Sequence, residues 1–207
     1  MHFTKLYSLV ESYKDLKGEV FALYLKLVLL HFGEKARVAP PLVLNYPDKI
    51  WIGDATEIKQ GCGLYGHSKE EIGIKIGARC RIKEYCMLDA YSGHIFLGEQ
   101  VLLGQASTIH GHGGVEIGDY TLIGPHVCIF SNDHIFKEAN KLIQSQGELW
   151  KKTTIGRNTW IGAGSVILAG VTVGDNSVIG GGAVVTHDIP SNSLAVGIPA
   201  RVIKSLI

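Results

Sequence analysis

Histidine is the side chain whose placement stands out in this sequence, because four histidines fall in short segments that interrupt a repeat. They are His67, His94, His112 and His134. An imidazole near its ordinary pKa takes a proton from a hydroxyl group at neutral pH. His134 stands near the start of the longest interruption, "SNDHIFKEANKLIQSQGELWKKTTIG" at 131–156. It is therefore the candidate general base, and a solvent-exposed loop histidine is the alternative.

The interrupted repeat has a period of six residues, with an aliphatic residue at its start and a small residue four positions later. In groups of three, the aliphatic positions are Ile52, Ile58 and Leu64; Ile76, Ile82 and Leu88; Leu97, Leu103 and Ile109; Ile117, Ile123 and Ile129; Ile155, Ile161 and Ile167; Val173, Ile179 and Val185. Glycine often follows the aliphatic residue. We expect it to adopt a backbone conformation there that other residues resist. A sextet fits one short strand and a tight turn, so three sextets form one triangular coil. The sequence predicts an all-β parallel solenoid of about six coils.

Every interruption follows the third sextet of a coil, which is the same vertex of a three-sided solenoid each time. Polar and aromatic side chains gather there, including Asp89, His110 and His112. Neighbouring coils are separated by about the strand spacing, ~4.8 Å. We therefore expect His110 or His112 to lie one coil from His134, and Asp89 two coils away.

Three features of the composition exclude or favour whole classes of protein. The net charge is +1 and no Lys/Arg run stands out, so nucleic-acid binding is not expected. Four scattered cysteines without a CxxC pair indicate reduced thiols in a cytoplasmic protein. The start has no secretory-signal pattern, and the apolar run Val20–Leu30 is too short to span a bilayer.

The repeat resembles that of the hexapeptide-repeat acyltransferases, whose fold is a left-handed parallel β-helix. The resemblance covers roughly residues 50–204. The segment "IGDYTLIGPHVCIFSNDH", 117–134, is similar to the part of galactoside, maltose and virginiamycin acetyltransferases that ends in their catalytic histidine. Surface-polysaccharide O-acetyltransferases are also similar. The resemblance implies acetyl-CoA as the acyl donor, a sugar hydroxyl as the acceptor, and a homotrimer.

The acceptor side has five candidate residues. Asp89, His110, His112 and Trp150 are candidates for binding the sugar, although each also has an ordinary role in a turn or in packing. The related enzymes carry an asparagine one coil before the histidine, where ungapped alignment gives Gly104 followed by Gln105. Gln105 or a backbone N–H would then have to stabilise the oxyanion.

The donor side is indicated by the uninterrupted later coils, "TTIGRNTWIGAGSVILAGVTVGDNSVIGGGAVV" at 153–185, together with the C-terminal residues. By resemblance, Trp160 and Ala163 flank the thiol end of acetyl-CoA, and Gly181 and Thr186 line its pantetheine arm. Arg201 and Lys204 lie near the adenine and phosphates, where cations suit the charge. Packing of small residues between coils is the alternative for this set.

Three segments are expected along the chain. An N-terminal helical cap and lead-in occupies 1–49, the β-helix 50–189, with an excursion loop at 134–153, and a C-terminal extension 190–207. Apolar residues within 4–31 have helical spacing; they are Leu6, Leu9, Val10, Tyr13, Leu16, Val20, Leu23, Tyr24 and Leu27. Capping of the open end of the solenoid, contact between subunits and peripheral membrane contact all stay open for this segment.

The sequence thus favours an acetyl-CoA-dependent O-acetyltransferase of surface-polysaccharide biosynthesis, with His134 as base and direct transfer to the sugar. An N-acyltransferase acting on an amino sugar is the main alternative. A hydratase of the γ-carbonic-anhydrase type would need a three-histidine metal site, but its His-x4-His spacing is missing, so no metal is expected. A solenoid without catalytic activity is the last alternative.

Overall fold

The computed structural model describes residues 18–207, and its repeating unit is a short strand followed by a tight turn. The aliphatic residue of every predicted sextet is at most 3% exposed, and the small residues four positions later are equally buried. Both positions point inward, where each coil packs on the next. The predicted repeat is therefore the core of the fold.

The elements follow one another with few residues between them. A helix, α1, spans 18–28, and two 3-10 helices span Pro47–Lys49 and Ile143–Ser145. The strands of the first four coils are β1 His31–Phe32, β2 Arg37–Val38 and β3 Leu42–Asn45; β4 Ile50–Ile52, β5 Glu57–Ile58 and β6 Cys62–Tyr65; β7 Ile74–Ile76, β8 Arg81–Ile82 and β9 Met87–Asp89; β10 Ile95–Leu97, β11 Leu102–Leu103 and β12 Thr108–His110. The later strands are β13 Val115–Ile117, β14 Leu122–Ile123 and β15 Cys128–Phe130; β16 Asn132–His134 and β17 Glu148–Trp150; β18 Thr153–Ile155, β19 Trp160–Ile161 and β20 Val166–Ile167; β21 Thr172–Val173, β22 Val178–Ile179 and β23 Val184–Val185; β24 Ser193–Gly197 and β25 Ala200–Ser205.

Apart from β16 and β17, which form a separate two-stranded antiparallel sheet, these strands form three sheets, one on each side of a triangular prism. Neighbouring strands within the three sheets are parallel, with one exception at the end of sheet B. Sheet A contains β1, β4, β7, β10, β13, β18 and β21; sheet B contains β2, β5, β8, β11, β14, β19, β22, β24 and β25; sheet C contains β3, β6, β9, β12, β15, β20 and β23. The three vertices of the prism are named after the sheets that they join. Within sheet B, the last strand, β25, runs antiparallel to its neighbour.

Within the described residues 18–207 the stack has seven complete coils, against about six predicted, and it begins before the predicted boundary at residue 50. The first coil pairs with the second through β1 and β4, β2 and β5, and β3 and β6. Its inward residues Phe32, Val38 and Leu44 keep the spacing of six. This coil is hard to detect in the sequence for two reasons. Phe32 stands where the repeat has an aliphatic residue, and the Pro40–Pro41 pair precedes the third strand. At the other end, β24 continues sheet B beside β22, so the predicted C-terminal extension belongs to the sheet.

The glycines that directly follow the aliphatic residues were expected to adopt a backbone conformation that other residues resist, and this explanation was wrong. The left-handed backbone lies three residues after the aliphatic position, at Asn158 (φ 51°), Gly164 (φ 68°) and Asn176 (φ 56°), for example. A glycine directly after the aliphatic residue serves close approach instead. A Cβ added to Gly124 would lie 2.7 Å from the backbone N of Ala163 in the next coil. Such a contact leaves no room for a side chain.

Helix α1 packs on the solenoid with a different face from the one that the spacing predicted. Leu25 and Leu29 are buried in the core, and Phe21 and Val28 pack against it. The predicted stripe of Val20, Leu23, Tyr24 and Leu27 points outward instead. The part of the predicted amphipathic segment before residue 18 lies outside the described residues. Within 18–207, no helix has both the length and the apolar character needed to cross a bilayer.

Candidate active site

Five insertions leave the solenoid at one vertex: the four that the sequence predicted and a further one between β3 and β4, which contains the 3-10 helix Pro47–Lys49. The predicted four connect β6 to β7, β9 to β10, β12 to β13 and β15 to β18, and each of the five therefore runs from sheet C to sheet A. We call this C–A edge the insertion vertex. The B–C edge, by contrast, carries tight turns throughout the described residues. The insertion histidines are consequently gathered on one side of the prism.

An inner column of side chains follows the ends of the sheet C strands. Tyr65 pairs with Asp89, Asp89 with His110, and His110 with Phe130, each in the neighbouring coil. The rings of His110 and Phe130 stack with centroids 5.0 Å apart. Burial lowers the pKa of His110, and the nearby carboxylate of Asp89 offsets this only in part. His110 is therefore a neutral imidazole at neutral pH.

His112 lies farther out, among aromatic rings. It stacks on Tyr91 at 4.1 Å between centroids and meets Trp150 edge-on at 5.7 Å. Burial is the main cause that lowers its pKa, with Glu148 acting in the opposite direction. Its Nδ1 atom is buried and has no hydrogen-bond partner among the described residues.

The excursion from Ser131 to Lys152 is a hairpin that presents His134. Strand β16 pairs antiparallel with β17, and this pairing sets His134 opposite Glu148. The Nδ1 atom of His134 lies 3.9 Å from Oε1 of Glu148. Trp150 Nε1–H donates a 2.8 Å hydrogen bond to the other oxygen, Oε2, of the same carboxylate. Glu148, which the sequence did not predict, is thus held beside the candidate base by the candidate acceptor-binding residue Trp150.

A cavity of about 390 Å³ opens where these groups meet. Its lining is His110, His112, Phe130, Asn132, Asp133, His134, Leu168 and Ala169. The structure therefore brings together three of the predicted histidines, with the His134 side chain 60% exposed. Asn132 was not predicted, although it precedes His134 by two residues on one strand and so shares its face. Among residues 18–207, neither lysine nor arginine lines the cavity, so none of its lining residues carries a fixed positive charge.

Three predicted acceptor residues take other positions. Asp89 lies behind His110, and its Oδ1 accepts a 3.1 Å hydrogen bond from the backbone N–H of Tyr91, which is a turn role. Trp150 reaches His112 and Glu148 but does not line the cavity. Gln105 is exposed in the turn between β11 and β12, at the B–C vertex. In one copy of the chain it therefore lies on a different edge from His134.

The predicted donor residues are divided between two edges of the prism. Ala163 and Gly181 lie one above the other in turns of the B–C vertex, next to the exposed Trp160 of sheet B. Arg201 and Lys204 are exposed on β25, at the end of the same sheet. Thr186, by contrast, follows β23 of sheet C and lies at the insertion vertex. Sheet C thus separates Ala163 from His134 within a single copy.

Three further features bear on the chemistry of the chain. A larger groove of about 890 Å³ runs along sheet A past Trp51, Lys75, Phe96 and Glu116, but it holds none of the insertion histidines. Across 18–207, no cluster of three or more His, Cys, Asp or Glu side chains is arranged to hold a metal ion. Of the cysteines, Cys62, Cys80 and Cys86 are buried at the small inward position. Burial raises the pKa of Cys80 to about 11, which suits packing and not nucleophilic attack.

Comparison with known proteins identifies the family. The family described as "Bacterial transferase hexapeptide (six repeats)" matches residues 152–187. Nodulation protein L of Rhizobium leguminosarum bv. viciae is 41% identical over 152 residues, which is 73% of this chain and 75% of that protein. A dTDP-4-amino-4,6-dideoxy-D-glucose acyltransferase of Escherichia coli is 30% identical over 158 residues, 74% of this chain and 80% of that protein. The chain belongs to this hexapeptide-repeat family.

Two more comparisons define the fold and the length. A probable acetyltransferase of Mycobacterium tuberculosis is 34% identical over 146 residues; the match covers 70% of this chain and 49%, about half, of that relative. Among solved structures, a mutant of AntD, an N-acyltransferase from Bacillus cereus in complex with an amino sugar nucleotide and coenzyme A, has a TM-score of 0.63. It is 19% identical and covers 87% of this chain and 85% of its own. The fold is the left-handed parallel β-helix of these acyltransferases.

Proposed function

We propose that this protein is an acyltransferase that moves an acetyl group from acetyl-CoA to a hydroxyl group of a sugar or saccharide. The observation that carries the proposal is the cavity at the insertion vertex, where His134 meets His110, His112 and Asn132. This cavity occurs in a chain that matches the family described as "Bacterial transferase hexapeptide (six repeats)". The proposed setting is the biosynthesis of a surface polysaccharide.

In the proposed reaction His134 is the general base. Its Nδ1 side faces Glu148, which leaves Nε2 for the acceptor hydroxyl. The imidazole takes the hydroxyl proton as the oxygen attacks the thioester carbonyl, and the carboxylate of Glu148 favours the imidazolium that forms. The C–S bond then breaks, and His134 returns the proton to the departing CoA thiolate. Glu148 is a positioning residue, because it acts through His134.

The oxyanion of the tetrahedral intermediate needs a hydrogen-bond donor. Asn132 lines the cavity on the same strand as His134, and its amide N–H2 is the side-chain donor that we assign to this role. Gln105, the donor considered from the sequence, lies at the other vertex of its own chain. No covalent acyl-enzyme is proposed, because three of the four cysteines are buried and the fourth, Cys128, does not line the cavity.

The lining of the cavity favours a neutral acceptor. Its described residues include no lysine or arginine that would pair with a phosphate, and His110 and His112 are neutral because burial lowers their pKa. Neutral imidazoles both donate and accept hydrogen bonds, as sugar hydroxyls require. The volume of about 390 Å³ falls in the usual range for small-molecule sites. A saccharide hydroxyl fits these properties.

The donor site is proposed to come from a neighbouring copy in a homotrimer. Ala163 and Gly181 lie at a different vertex from His134, so a base and a donor groove meet only where two prisms stand side by side. The tip of the excursion supports this arrangement, since Phe136 (68% exposed), Leu142 (78%) and Ile143 (55%) are apolar and uncovered. We propose that this tip reaches the neighbour. Arg201 and Lys204 would bind the phosphates of acetyl-CoA.

Transfer to the nitrogen of an amino sugar is the second candidate. The Escherichia coli relative that is 30% identical acts, by its name, on a dTDP-linked amino sugar. Asp133 lines the cavity, and a carboxylate there suits an ammonium group.

We further propose a cytoplasmic location, because four unpaired cysteines fit a reducing compartment.

Release of free CoA from acetyl-CoA, measured across matched hydroxyl and amino sugars, tests the proposal. We expect turnover with hydroxyl acceptors and a loss of about 10²–10⁴-fold in His134→Ala. His67→Ala is the matched control, because His67 is an exposed histidine of the same vertex outside the cavity. Turnover with amino sugars alone would establish the second candidate. Equal activity of His134→Ala and the wild type would disprove the assigned base.

A further inference from the structure

Three large aromatic side chains stand half-exposed along the insertion vertex, at every second coil. Counted from β1–β3 as coil 1, Tyr46 follows coil 1, Tyr91 follows coil 3 and Trp150 follows coil 5. Their exposed fractions are 49%, 50% and 42%. Successive members are two coil spacings apart, which is about 10 Å along the axis of the prism. We call these three residues the ring ladder.

The other two vertices have no such series in the part of the chain that the structure describes. The A–B vertex carries a single comparably exposed tyrosine, Tyr120 at 44%, and the B–C vertex carries Tyr85 at 57%. The three ladder residues, by contrast, all belong to insertions, which the packing of the core does not require. Their regular placement at one edge therefore indicates a surface for a ligand that extends along the prism.

His112 connects the ring ladder to the cavity. Its ring lines the cavity, stacks on Tyr91 and meets Trp150 edge-on. The cavity volume of about 390 Å³ lies in the lower part of the range for small-molecule sites, so a long acceptor must extend out of it. The ladder leads from there toward coil 1, whereas Ala163 and Gly181 lie in coils 6 and 7. A ligand on the ladder therefore leaves the proposed donor groove free.

The ladder rings suit a saccharide chain. The face of a Tyr or Trp ring is apolar and its edge carries a polar group. A pyranose ring likewise has a face of C–H groups and a rim of hydroxyl groups, so the two kinds of ring stack face to face. In an extended β-1,4-linked chain, alternate sugars present the same face. Platforms at alternate coils match such a repeating ligand.

The charges beside the ladder argue against a nucleotide diphosphate as its ligand. Lys49 Nζ donates hydrogen bonds of 2.6 and 2.7 Å to two backbone carbonyls of the next insertion, so its charge is already engaged. Lys69 Nζ lies 5.9 Å from the centroid of the Trp150 ring, but the carboxylate of Glu148 accepts a hydrogen bond from the same indole. A diphosphate requires unpaired cations, whereas a neutral sugar requires none.

We propose that the ring ladder binds the saccharide chain that carries the acceptor hydroxyl, so that the preferred acceptor is an extended β-1,4-linked oligosaccharide and not a free sugar. This inference rests on the proposed function, because the ladder continues from the acceptor cavity. The terminal sugar enters the cavity beside His134, and the following sugars lie on the rings in the direction of coil 1. The ladder adds affinity for the chain and leaves the reaction at His134 unchanged.

CoA release with glucose and galactose, each as the free sugar and as β-1,4-linked oligomers up to the hexamer, tests the ladder. We expect the kcat/KM of the wild type to rise with chain length, by at least about tenfold from free sugar to hexamer. Tyr91→Ala should remove most of this rise, and Tyr46→Ala only the part that the longest oligomers add. Tyr91→Phe keeps the ring and should keep the rise. Tyr120→Ala, at the similarly exposed tyrosine of the A–B vertex, is the matched control.

Three results would contradict the ladder or separate it from the proposed function. A kcat/KM independent of chain length, or an equal loss in Tyr120→Ala, would overturn the ladder and leave the proposed chemistry intact. Absence of CoA release with every sugar, together with calorimetric binding of a hexamer that Tyr46→Ala weakens, would support the ladder and overturn the proposed function. Inhibition by dTDP that Tyr91→Ala relieves would assign the rings to a nucleotide instead.

Discussion

The insertion vertex and the B–C vertex of this prism are built from the same repeat but have opposite properties. At the B–C vertex every described turn is short, and small residues such as Ala163 and Gly181 stack directly on one another. At the insertion vertex the turns lengthen, and histidines, carboxylates and aromatic rings form columns. A groove for a long, thin ligand needs the first arrangement. A cavity with an acid–base group needs the second.

The comparison indicates how a repetitive fold can hold the two proposed sites without disturbing its core. An insertion between the third strand of one coil and the first strand of the next leaves both strands in register. Each inserted residue is therefore placed by the ladder below it, as His110 is placed beside Asp89 and Phe130. In a single chain, the same geometry keeps the two proposed sites apart. The proposed reaction consequently requires two copies.

The largest expected effect comes from blocking the proposed donor groove at the B–C vertex. Ala163→Trp fills the proposed donor groove at an exposed turn, so we expect the KM for acetyl-CoA to rise about 100-fold or activity to disappear. Ala78→Trp is the control, since Ala78 occupies the same phase of the repeat at the A–B vertex. Its KM should stay within about twofold of the wild type. Equal effects at both positions would show that the B–C vertex has no special role.

Mixing two inactive variants tests whether the vertices of different copies meet. His134→Ala keeps an intact donor edge, and Ala163→Trp keeps an intact base. Subunit exchange between them should restore activity at about a quarter of the sites, because each interface pairs one base with one groove in a fixed direction. CoA release after co-refolding measures this recovery. A mixture as inactive as its components, with exchange proven by mass, would place both sites in one copy.

The next effect concerns how closely the coils stack at the B–C vertex. Gly124→Ala puts a Cβ 2.7 Å from the backbone of the next coil, so we expect a loss of about 3 kcal/mol in the free energy of unfolding. Gly164→Ala meets no atom within 4 Å but has a φ of 68°, and about 1 kcal/mol of backbone strain is expected. Urea denaturation measures both. The reverse order would mean that backbone conformation, and not close approach, explains the glycines.

Much of this arrangement was predictable from the sequence, and its limits have physical causes. The period of six determined the inward residues and the shared vertex of the insertions, because both follow from the register of the coils. The first coil was not predicted, because Phe32 stands where the repeat has an aliphatic residue. Glu148 was not predicted as a site residue. It lies next to His134 only because β16 pairs with β17, and the loop between these strands has no repeat. A period assigns neighbours between coils but not within an insertion.

The orientation of the base should respond more modestly to change. Glu148→Gln removes the charge 3.9 Å from Nδ1 of His134 but keeps the shape of the side chain. We expect kcat to fall about 5–10-fold with an unchanged KM for the acceptor, because the imidazolium forms only as the reaction proceeds. Glu148→Asp should recover part of kcat. Glu138→Gln, which alters an exposed ion pair with Lys141 in the same loop, is the control. A change confined to KM would assign Glu148 to acceptor binding instead.

The smallest expected effect is the pH dependence of stability that the buried histidines create. Burial lowers the pKa of His110 and His112 from the ordinary value of 6.5. Below pH 6.5 the unfolded chain binds protons that the folded cavity resists, so stability falls as the pH decreases through this value toward the lower folded pKa. His110→Gln removes one such imidazole and should reduce the loss of thermal stability between pH 7 and pH 5 by about 2 °C. Identical curves for His110→Gln and the wild type would mean that the imidazole of His110 is protonated as easily in the cavity as in the unfolded chain, and the neutral acceptor site would lose its electrostatic basis.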